Sequence, residues 1–135
     1  MRMGGKIGLV TAAGSGIGRA GAIRFAKEGA SVGVVDIDAD AVAAVVAEIE
    51  AGGGKALGIT ADLSKDEDSR RIVRNTVNHF TGLEFVWNHV GHPGPAVVEG
   101  LDMKNWDQAV DLNLRTVFIT TETVLPELRA RGGGS

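Results

Sequence analysis

Three glycines near the start of the chain are the first residues with a clear chemical use. Gly14, Gly16 and Gly18 follow an apolar run, Lys6–Thr11, that is typical of a buried strand, and helical spacing begins directly after them. Glycines between a strand and a helix let the backbone turn tightly, and the free N–H groups at a helix N-terminus attract anions. The segment 11–18 therefore predicts a loop that binds a pyrophosphate.

A carboxylate ends the second apolar run, Ser31–Asp36. At this distance of about twenty residues from the loop, a carboxylate can accept hydrogen bonds from both hydroxyls of an adenosine ribose. Its charge also repels a 2′-phosphate, and Ile37 stands where an arginine would favour NADP. The pair predicts a preference for NAD. The alternative is that Asp36 caps the next helix, a role that Asp38 can also fill.

The spacing of the loop is that of the pattern Thr-Gly-x-x-x-Gly-x-Gly. Thr11, Gly16, Ile17 and Gly18 match the pattern, and Ala12 stands in place of its first glycine. On these residues the chain resembles the short-chain dehydrogenase/reductase family. The resemblance implies a nicotinamide cofactor that is held by these matching residues together with the loop residues Gly14 and Ser15, and by Asp36 and Ile37.

Two later segments extend the resemblance. Asp62 and Leu63 follow the third apolar run, where the family has an aspartate that contacts adenine and an apolar residue beside it. Asn88 and Gly91 match the family's Asn-Asn-Ala-Gly segment, whose two central residues are replaced here by histidine and valine. The resemblance implies that Asn88 ties strand backbones together and that Gly91 lets the chain pass close to a cofactor ribose. Taken alone, Asp62 also fits a simple turn.

Asn113 is the one candidate catalytic residue. It lies in a segment, Val110–Leu114, that resembles the helix bearing the family's catalytic asparagine, which helps to hold a water relay near the active lysine. An asparagine without function in the middle of a helix is the alternative. The family continues with a fifth strand that carries a catalytic serine and with a Tyr-x-x-x-Lys helix, whereas this sequence has no tyrosine.

The resemblance therefore covers the N-terminal, cofactor-binding half of a family member. We expect residues 1–135 to form a single dinucleotide-binding domain that lacks the catalytic half, and to bind NAD(H) with little or no turnover. In the complete family member, hydride transfer takes place between the nicotinamide and an alcohol or carbonyl. The alternative is a non-enzymatic Rossmann-fold module for binding or assembly.

Alternating strands and helices must position these residues. Short connections and continuous apolar strands predict an α/β fold with a parallel sheet covered on both faces, and the family's topology implies a Rossmann-like, doubly wound sheet of four strands in the order 3-2-1-4. Ser64 and Glu67 predict a capping box before the third helix, and Pro126 predicts a kink or a restart in the last one. The predicted strands are Lys6–Thr11, Ser31–Asp36, Ala56–Ala61 and Leu83–Asn88; the predicted helices are Ile17–Glu28, Asp38 or Asp40 to Ala51, Ser64–Phe80 and Asn105–Arg131.

Composition excludes several classes of function. The 135 residues include no cysteine, which excludes disulfides and thiolate metal sites, and the net charge of −3 argues against electrostatic binding of nucleic acid. No apolar run is long enough to span a membrane and no secretory signal is evident, so we expect a cytoplasmic protein. His89 and His92 have no third ligand nearby in the sequence, and we predict no metal site.

Two features predict self-association. The family's topology leaves the fourth strand as an uncovered edge, and the last helix carries more apolar residues than half a fold easily covers. We therefore expect a homodimer that forms across the edge of the fourth strand or through the last helix. The closing residues Gly132–Ser135 fit either a flexible linker or a natural turn.

Overall fold

The computed structural model describes all 135 residues. The fold is built around one parallel sheet. Its four strands lie in the order β3-β2-β1-β4, which confirms the predicted topology. The first and fourth strands begin and end one or two residues inside the predicted bounds, the third lies one residue earlier than predicted, and the second has the predicted bounds. The strands are β1 (Ile7–Val10), β2 (Ser31–Asp36), β3 (Lys55–Thr60) and β4 (Phe85–Trp87).

Helices cover both faces of the sheet because the strands are apolar on both sides. Val10 and Val34 belong to a buried cluster with the first two helices, whereas their neighbours Leu9 and Val35 belong to a second cluster with the third and last helices. This alternation is the two-residue period of a strand. The helices are α1 (Gly16–Lys27), α2 (Ala39–Ala51), α3 (Asp66–Phe80), α4 (Met103–Val110) and α5 (Thr116–Ala130), with a π-helical turn at Asp111–Arg115 between the last two.

The start of α3 differs from the predicted capping box. Lys65 is the N-cap residue and makes no side-chain capping bond, so the helix begins at Asp66. The Ser64 hydroxyl instead donates to Asp62 Oδ1 at 2.6 Å, because a tight turn follows β3 and brings these side chains together. The capping box is therefore wrong, although the acidic first turn of α3 still complements the helix dipole.

The start of α2 decides among the three carboxylates that the sequence offers as its cap, namely Asp36, Asp38 and Asp40. Asp38 is the N-cap residue, and its Oδ1 accepts from the amides of Asp40 and Ala41 at 3.0 Å each. Asp36 is consequently free of the capping role, and its carboxylate is available for other contacts.

The last helical segment is longer and less regular than predicted. It begins at Met103, where Asp102 Oδ1 accepts from the Lys104 amide at 3.0 Å. It then changes to π-helical hydrogen bonding at Asp111–Arg115, and α5 continues through Pro126 without a restart. No helix of the structure is both long enough and apolar enough to cross a membrane. The cytoplasmic location stays a prediction.

The glycine run at the end of the described residues forms an ordered turn. Gly133 has a positive φ of 129°, and its amide donates to Leu128 O at 2.9 Å. The turn brings Ser135 beside β4, where the Ser135 amide donates to Glu84 O at 3.0 Å and the Val86 amide donates to Ser135 O at 2.9 Å. The first part of the β4 edge is therefore paired, so the expectation of a wholly uncovered edge is wrong at this end.

Candidate functional site

The glycine loop lies at the carboxyl end of the sheet, where β1 meets α1. Thr11 is fully buried there, and its hydroxyl donates to Trp87 O at 3.3 Å. The Thr11 hydroxyl oxygen also accepts from the amides of His89 and Val90 at 2.9 and 3.0 Å. Thr11 therefore holds the loop after β1 against the segment that follows β4.

The N-terminus of α1 has no carboxylate of its own. Ser15 is its N-cap residue without a side-chain capping bond, and no acidic residue lies in its first turn. By contrast, Asp38 caps α2, Asp102 caps α4 and α3 has three acidic residues in its first turn. Because a helix N-terminus carries about half a positive charge, α1 offers an unneutralised end to an anion.

The glycines of the loop are required for different structural reasons. Gly16 has a φ of +52° with open space where a side chain would stand, so it is suited to its backbone conformation. Glycine is required at position 18 by close packing instead, since a Cβ there would lie 2.0 Å from the carbonyl oxygen of Ala12. Ala12 itself has a φ of +50°, a conformation that favours the glycine found there in the resembling pattern.

Asp36 reaches from the end of β2 to this loop. The Gly14 amide donates to Asp36 Oδ2 at 2.9 Å, and the Asp38 amide donates to Asp36 Oδ1 at 3.2 Å. The structure thus brings the predicted ribose acceptor and the predicted phosphate loop into direct contact.

A cavity of about 310 Å³ opens beside Asp36. Four of the predicted site residues line it, namely Asp36, Ile37, Asp62 and Leu63. The remaining lining residues were not singled out as site residues from the sequence: Ala12, Ala61, Ser64, Val90, Gln108 and Leu112. Gln108 and Leu112 come from α4 and the π-helical turn, and no local pattern in the sequence relates them to the loop.

Asp62, which also lines the cavity, is an ionised hydrogen-bond acceptor. The Ser64 hydroxyl bonded to Asp62 is the main cause that lowers the pKa of this carboxyl, and the Ser64 amide and Lys65 lower it further. Partial burial raises the pKa of the neighbouring Asp68, but the Asp62 amide and the Arg71 guanidinium outweigh it, so this pKa too lies below its usual value. Asp62 is therefore a negative hydrogen-bond acceptor at neutral pH.

Asn113 lies against Gly91 and the backbone of His92. Asn113 Oδ1 accepts from the His92 amide at 3.1 Å, and its Nδ2 donates to His92 O at 2.7 Å and to Ala109 O at 2.8 Å. A Cβ on Gly91 would lie 2.7 Å from Asn113 Oδ1, so the glycine permits this contact. Asn113 lies inside the π-helical turn, a feature often found at functional sites.

Asn88 and the two histidines complete the surroundings. Asn88 Nδ2 donates to the Thr121 hydroxyl of α5 at 3.3 Å, while its buried Oδ1 has no partner. His92 Nδ1 accepts from the Gly94 amide at 3.1 Å, and the His89 ring packs against Trp87 with centroids 5.0 Å apart. The structure contains no group of three His, Asp or Glu side chains that could hold a metal ion.

Fold and site together define a class of protein. A parallel sheet in the order 3-2-1-4, a glycine-rich turn after the first strand and a carboxylate at the end of the second are the features of a dinucleotide-binding Rossmann fold. The model of the short-chain dehydrogenase family matches residues 6–135. The chain belongs to this family.

Individual relatives agree with this assignment. The chain is 38% identical to a cyclohexanol dehydrogenase of Acinetobacter sp. (strain SE19), over 96% of this chain and 52% of the relative. It is 34% identical to the 7α-hydroxysteroid dehydrogenase of Escherichia coli (strain K12), over 99% of this chain and 52% of the relative. A solved structure of a 7α-hydroxysteroid dehydrogenase complexed with NADH and 7-oxo glycochenodeoxycholic acid superimposes with a TM-score of 0.95, at 34% identity, over 98% of this chain and 52% of that one. The chain spans about half the length of these relatives.

Proposed function

We propose that this chain binds NAD(H) as the cofactor-binding part of a short-chain dehydrogenase. In the whole protein, the reaction would be hydride transfer between nicotinamide C4 and the carbon of an alcohol or carbonyl group. The observation that carries the proposal is the N-terminus of α1, which has no acidic residue in its first turn and follows a loop whose residue Ala12 lines a cavity together with Asp36 and Asp62. That arrangement suits a ligand that has an anionic diphosphate in its middle and a polar nucleoside at one end.

The residues present fit the parts of a dinucleotide. The diphosphate would lie at the α1 N-terminus over Ser15, Gly16 and Ile17, which are all exposed. The adenosine would occupy the cavity, whose volume of about 310 Å³ lies at the lower end of ligand sites and suits a nucleoside. Asp36 would accept from the ribose hydroxyls. The base would lie against Leu63 with its amino group toward the Asp62 carboxylate.

We further propose that the chain prefers NAD over NADP. A 2′-phosphate on the adenosine ribose would face the Asp36 carboxylate, and Ile37 offers it no positive charge. Fluorescence titrations with NADH and NADPH test this preference directly. A lower dissociation constant for NADPH than for NADH would refute it.

The 135 residues are proposed to bind the cofactor without turning over a substrate. Asn113 matches one residue of the family's catalytic set, but the chain has no tyrosine to act as general acid or base. General acid–base catalysis contributes about a hundred- to ten-thousandfold to a rate, so its loss should leave almost no activity. An alcohol-dependent rise in NADH absorbance with the purified chain would contradict this expectation.

A charge placed at the α1 N-cap tests the binding mode. We expect Ser15→Asp to retain the fold, because aspartate is a favourable N-cap, and to weaken NADH binding at least tenfold, because its carboxylate would face the diphosphate. Ser15→Asn is the matched control, with the same shape and no charge, and should bind within about threefold of the wild type. Equal affinity of the two variants would refute the proposed diphosphate position. A wild-type chain that binds no NADH would favour the non-enzymatic module.

We also propose that the chain forms a homodimer through its last helical segment. An exposed apolar stripe runs along α4, the π-helical turn and α5, with Leu114 67% and Phe118 72% exposed. The exposed Trp106 and Leu125 continue this stripe at helical spacing, together with the half-buried Val110. The β4 edge is the less suitable surface, since Ser135 already pairs with part of it.

Light scattering tests the dimer. We expect a dimer mass for the wild type and a monomer mass for Phe118→Glu, because a charge at the centre of a buried apolar interface is unfavourable. Val98→Glu is the control, since Val98 is exposed in a loop outside the stripe and the dimer should persist. A monomer mass of the wild type at all concentrations would refute the proposal.

A further inference from the structure

We propose that Asp36 is a positioning residue for the phosphate-binding loop, in addition to its role as ribose acceptor. The inference rests on the proposed function for its ligand. The contact between Asp36 and the loop can nevertheless be measured with no ligand present.

The two carboxylate oxygens of Asp36 are each engaged by one backbone amide. Oδ2 accepts from Gly14 in the loop at 2.9 Å, and Oδ1 accepts from Asp38 in the turn before α2 at 3.2 Å. A carboxylate offers about four lone-pair positions, so about one remains on each oxygen. Two remaining positions are what the two ribose hydroxyls require. Asp36 can therefore hold the loop and the ribose at the same time.

Gly14 is shaped to receive this carboxylate. Its φ is not positive, so the backbone conformation at this position does not itself call for glycine. A Cβ on Gly14 would lie 2.9 Å from Asp36 Cγ and 2.9 Å from Ala41 Cβ. Any side chain would push the carboxylate away from the amide. We infer that Gly14 and Asp36 act as a pair, whereas Gly16 is explained by its φ of +52° alone.

The pairing has a consequence for cofactor specificity. A carboxylate held on both oxygens cannot rotate away from the ribose without breaking a hydrogen bond to a charged group, which is stronger than a hydrogen bond between neutral groups. Asp36 therefore presents a fixed negative charge to a 2′-phosphate. Its replacement by a small residue would remove this charge and would also release the loop that holds the diphosphate.

Nucleotides without ribose hydroxyls separate the two roles. We expect the Asp36→Ala variant to bind 2′,3′-dideoxy-ADP about tenfold more weakly than the Asp36→Asn variant in calorimetric titrations. The two variants carry the same charge, but only the asparagine has a side-chain oxygen that can accept from the Gly14 amide. With ADP as the ligand, both variants should also lose part of the ribose contribution. Equal affinities of the two variants for the dideoxy nucleotide would overturn the proposal.

Hydrogen exchange measures the contact without a ligand. The Gly14 amide should exchange about tenfold faster in Asp36→Ala than in the wild type, and Asp36→Asn should restore most of the protection. The amide of the buried Val34, which lies in β2 like Asp36, is the internal control, and its exchange rate should be the same in all three proteins. Unchanged exchange at Gly14 in Asp36→Ala would overturn the positioning role. A failure of the wild type to bind NADH would instead refute the proposed function, and the exchange result would still decide the loop contact.

Discussion

Replacement of Ala12 by glycine should stabilise the protein, contrary to the usual effect of glycine. Ala12 has a φ of +50°, in the left-handed region, where an L-residue is disfavoured by about 1–2 kcal/mol. Glycine relieves this strain but loses about 0.5–1 kcal/mol through the greater freedom of the unfolded chain. Since Ala12 is half-buried, the loss of its methyl group costs a few tenths of a kcal/mol more. The net expectation is a gain of about 0.5 kcal/mol in the free energy of unfolding.

The gain should be visible in the melting temperature. An entropy of unfolding of about 2.1 cal/mol/K per residue amounts to about 0.28 kcal/mol/K for 135 residues. A stabilisation of about 0.5 kcal/mol therefore raises Tm by about 2 °C, which calorimetry or circular dichroism can resolve.

The neighbouring alanine provides the control. Ala13 is fully buried and has no positive φ, so Ala13→Gly gains nothing from relief of strain. It loses about 0.5–1 kcal/mol of backbone entropy and about 0.8 kcal/mol of methyl burial, for a fall in Tm of about 5 °C. The two substitutions should therefore shift Tm in opposite directions. Equal falls in Tm would show that strain at position 12 is not what limits stability there.

Two further predictions concern close packing and acid stability. Gly18→Ala should lower the free energy of unfolding by at least about 2 kcal/mol in urea titrations, because its Cβ would lie 2.0 Å from Ala12 O. Gly16→Ala should lower it by only about 1 kcal/mol, because position 16 has open space and only a positive φ. Similar losses for the two variants would refute the packing argument. Stability should fall as the pH drops below about 4, because the pKa of Asp66 is lowered in the folded state, mainly by its hydrogen bonds to Arg115. The stabilisation by the ionised Asp66 is present above the unfolded pKa and is lost as the folded carboxyl protonates. Arg115→Ala should reduce the difference in urea stability between pH 7 and pH 3, and an unchanged difference would contradict this assignment.

Local sequence patterns predicted the elements of the fold and most of the loop. The runs around Leu9 and Val35 are apolar at successive positions, which is the pattern of strands buried on both faces, and both residues are fully buried. Gly16 and Gly18 stand in the first turn of the helix that follows the first of these strands, and Asp36 is the last residue of the second. The resemblance to a family added the order of the strands, which periodicity alone does not provide.

The misjudged helix ends have local causes that pattern rules do not weigh. Ser64 and Glu67 have capping-box spacing, but the serine hydroxyl bonds to Asp62 in the turn after β3. Because the Ser64 hydroxyl is engaged in this turn, it does not cap the helix, and Lys65 is the N-cap residue. No local pattern predicts the π-helical turn around Asn113, whose side chain bonds to the backbone of His92, a residue 21 positions earlier in the chain.

The sequence by itself determined which residue types stand at which points of the chain: a glycine-rich loop before a helix and a carboxylate at the end of the next strand. Only the tertiary structure decided which groups meet. Gln108 and Leu112 line the same cavity as Ala12, and the Gly14 amide lies 2.9 Å from Asp36. These contacts join residues that are far apart in the chain. They depend on how strands pair and helices pack across the sheet, and local periodicity carries no information about such distances.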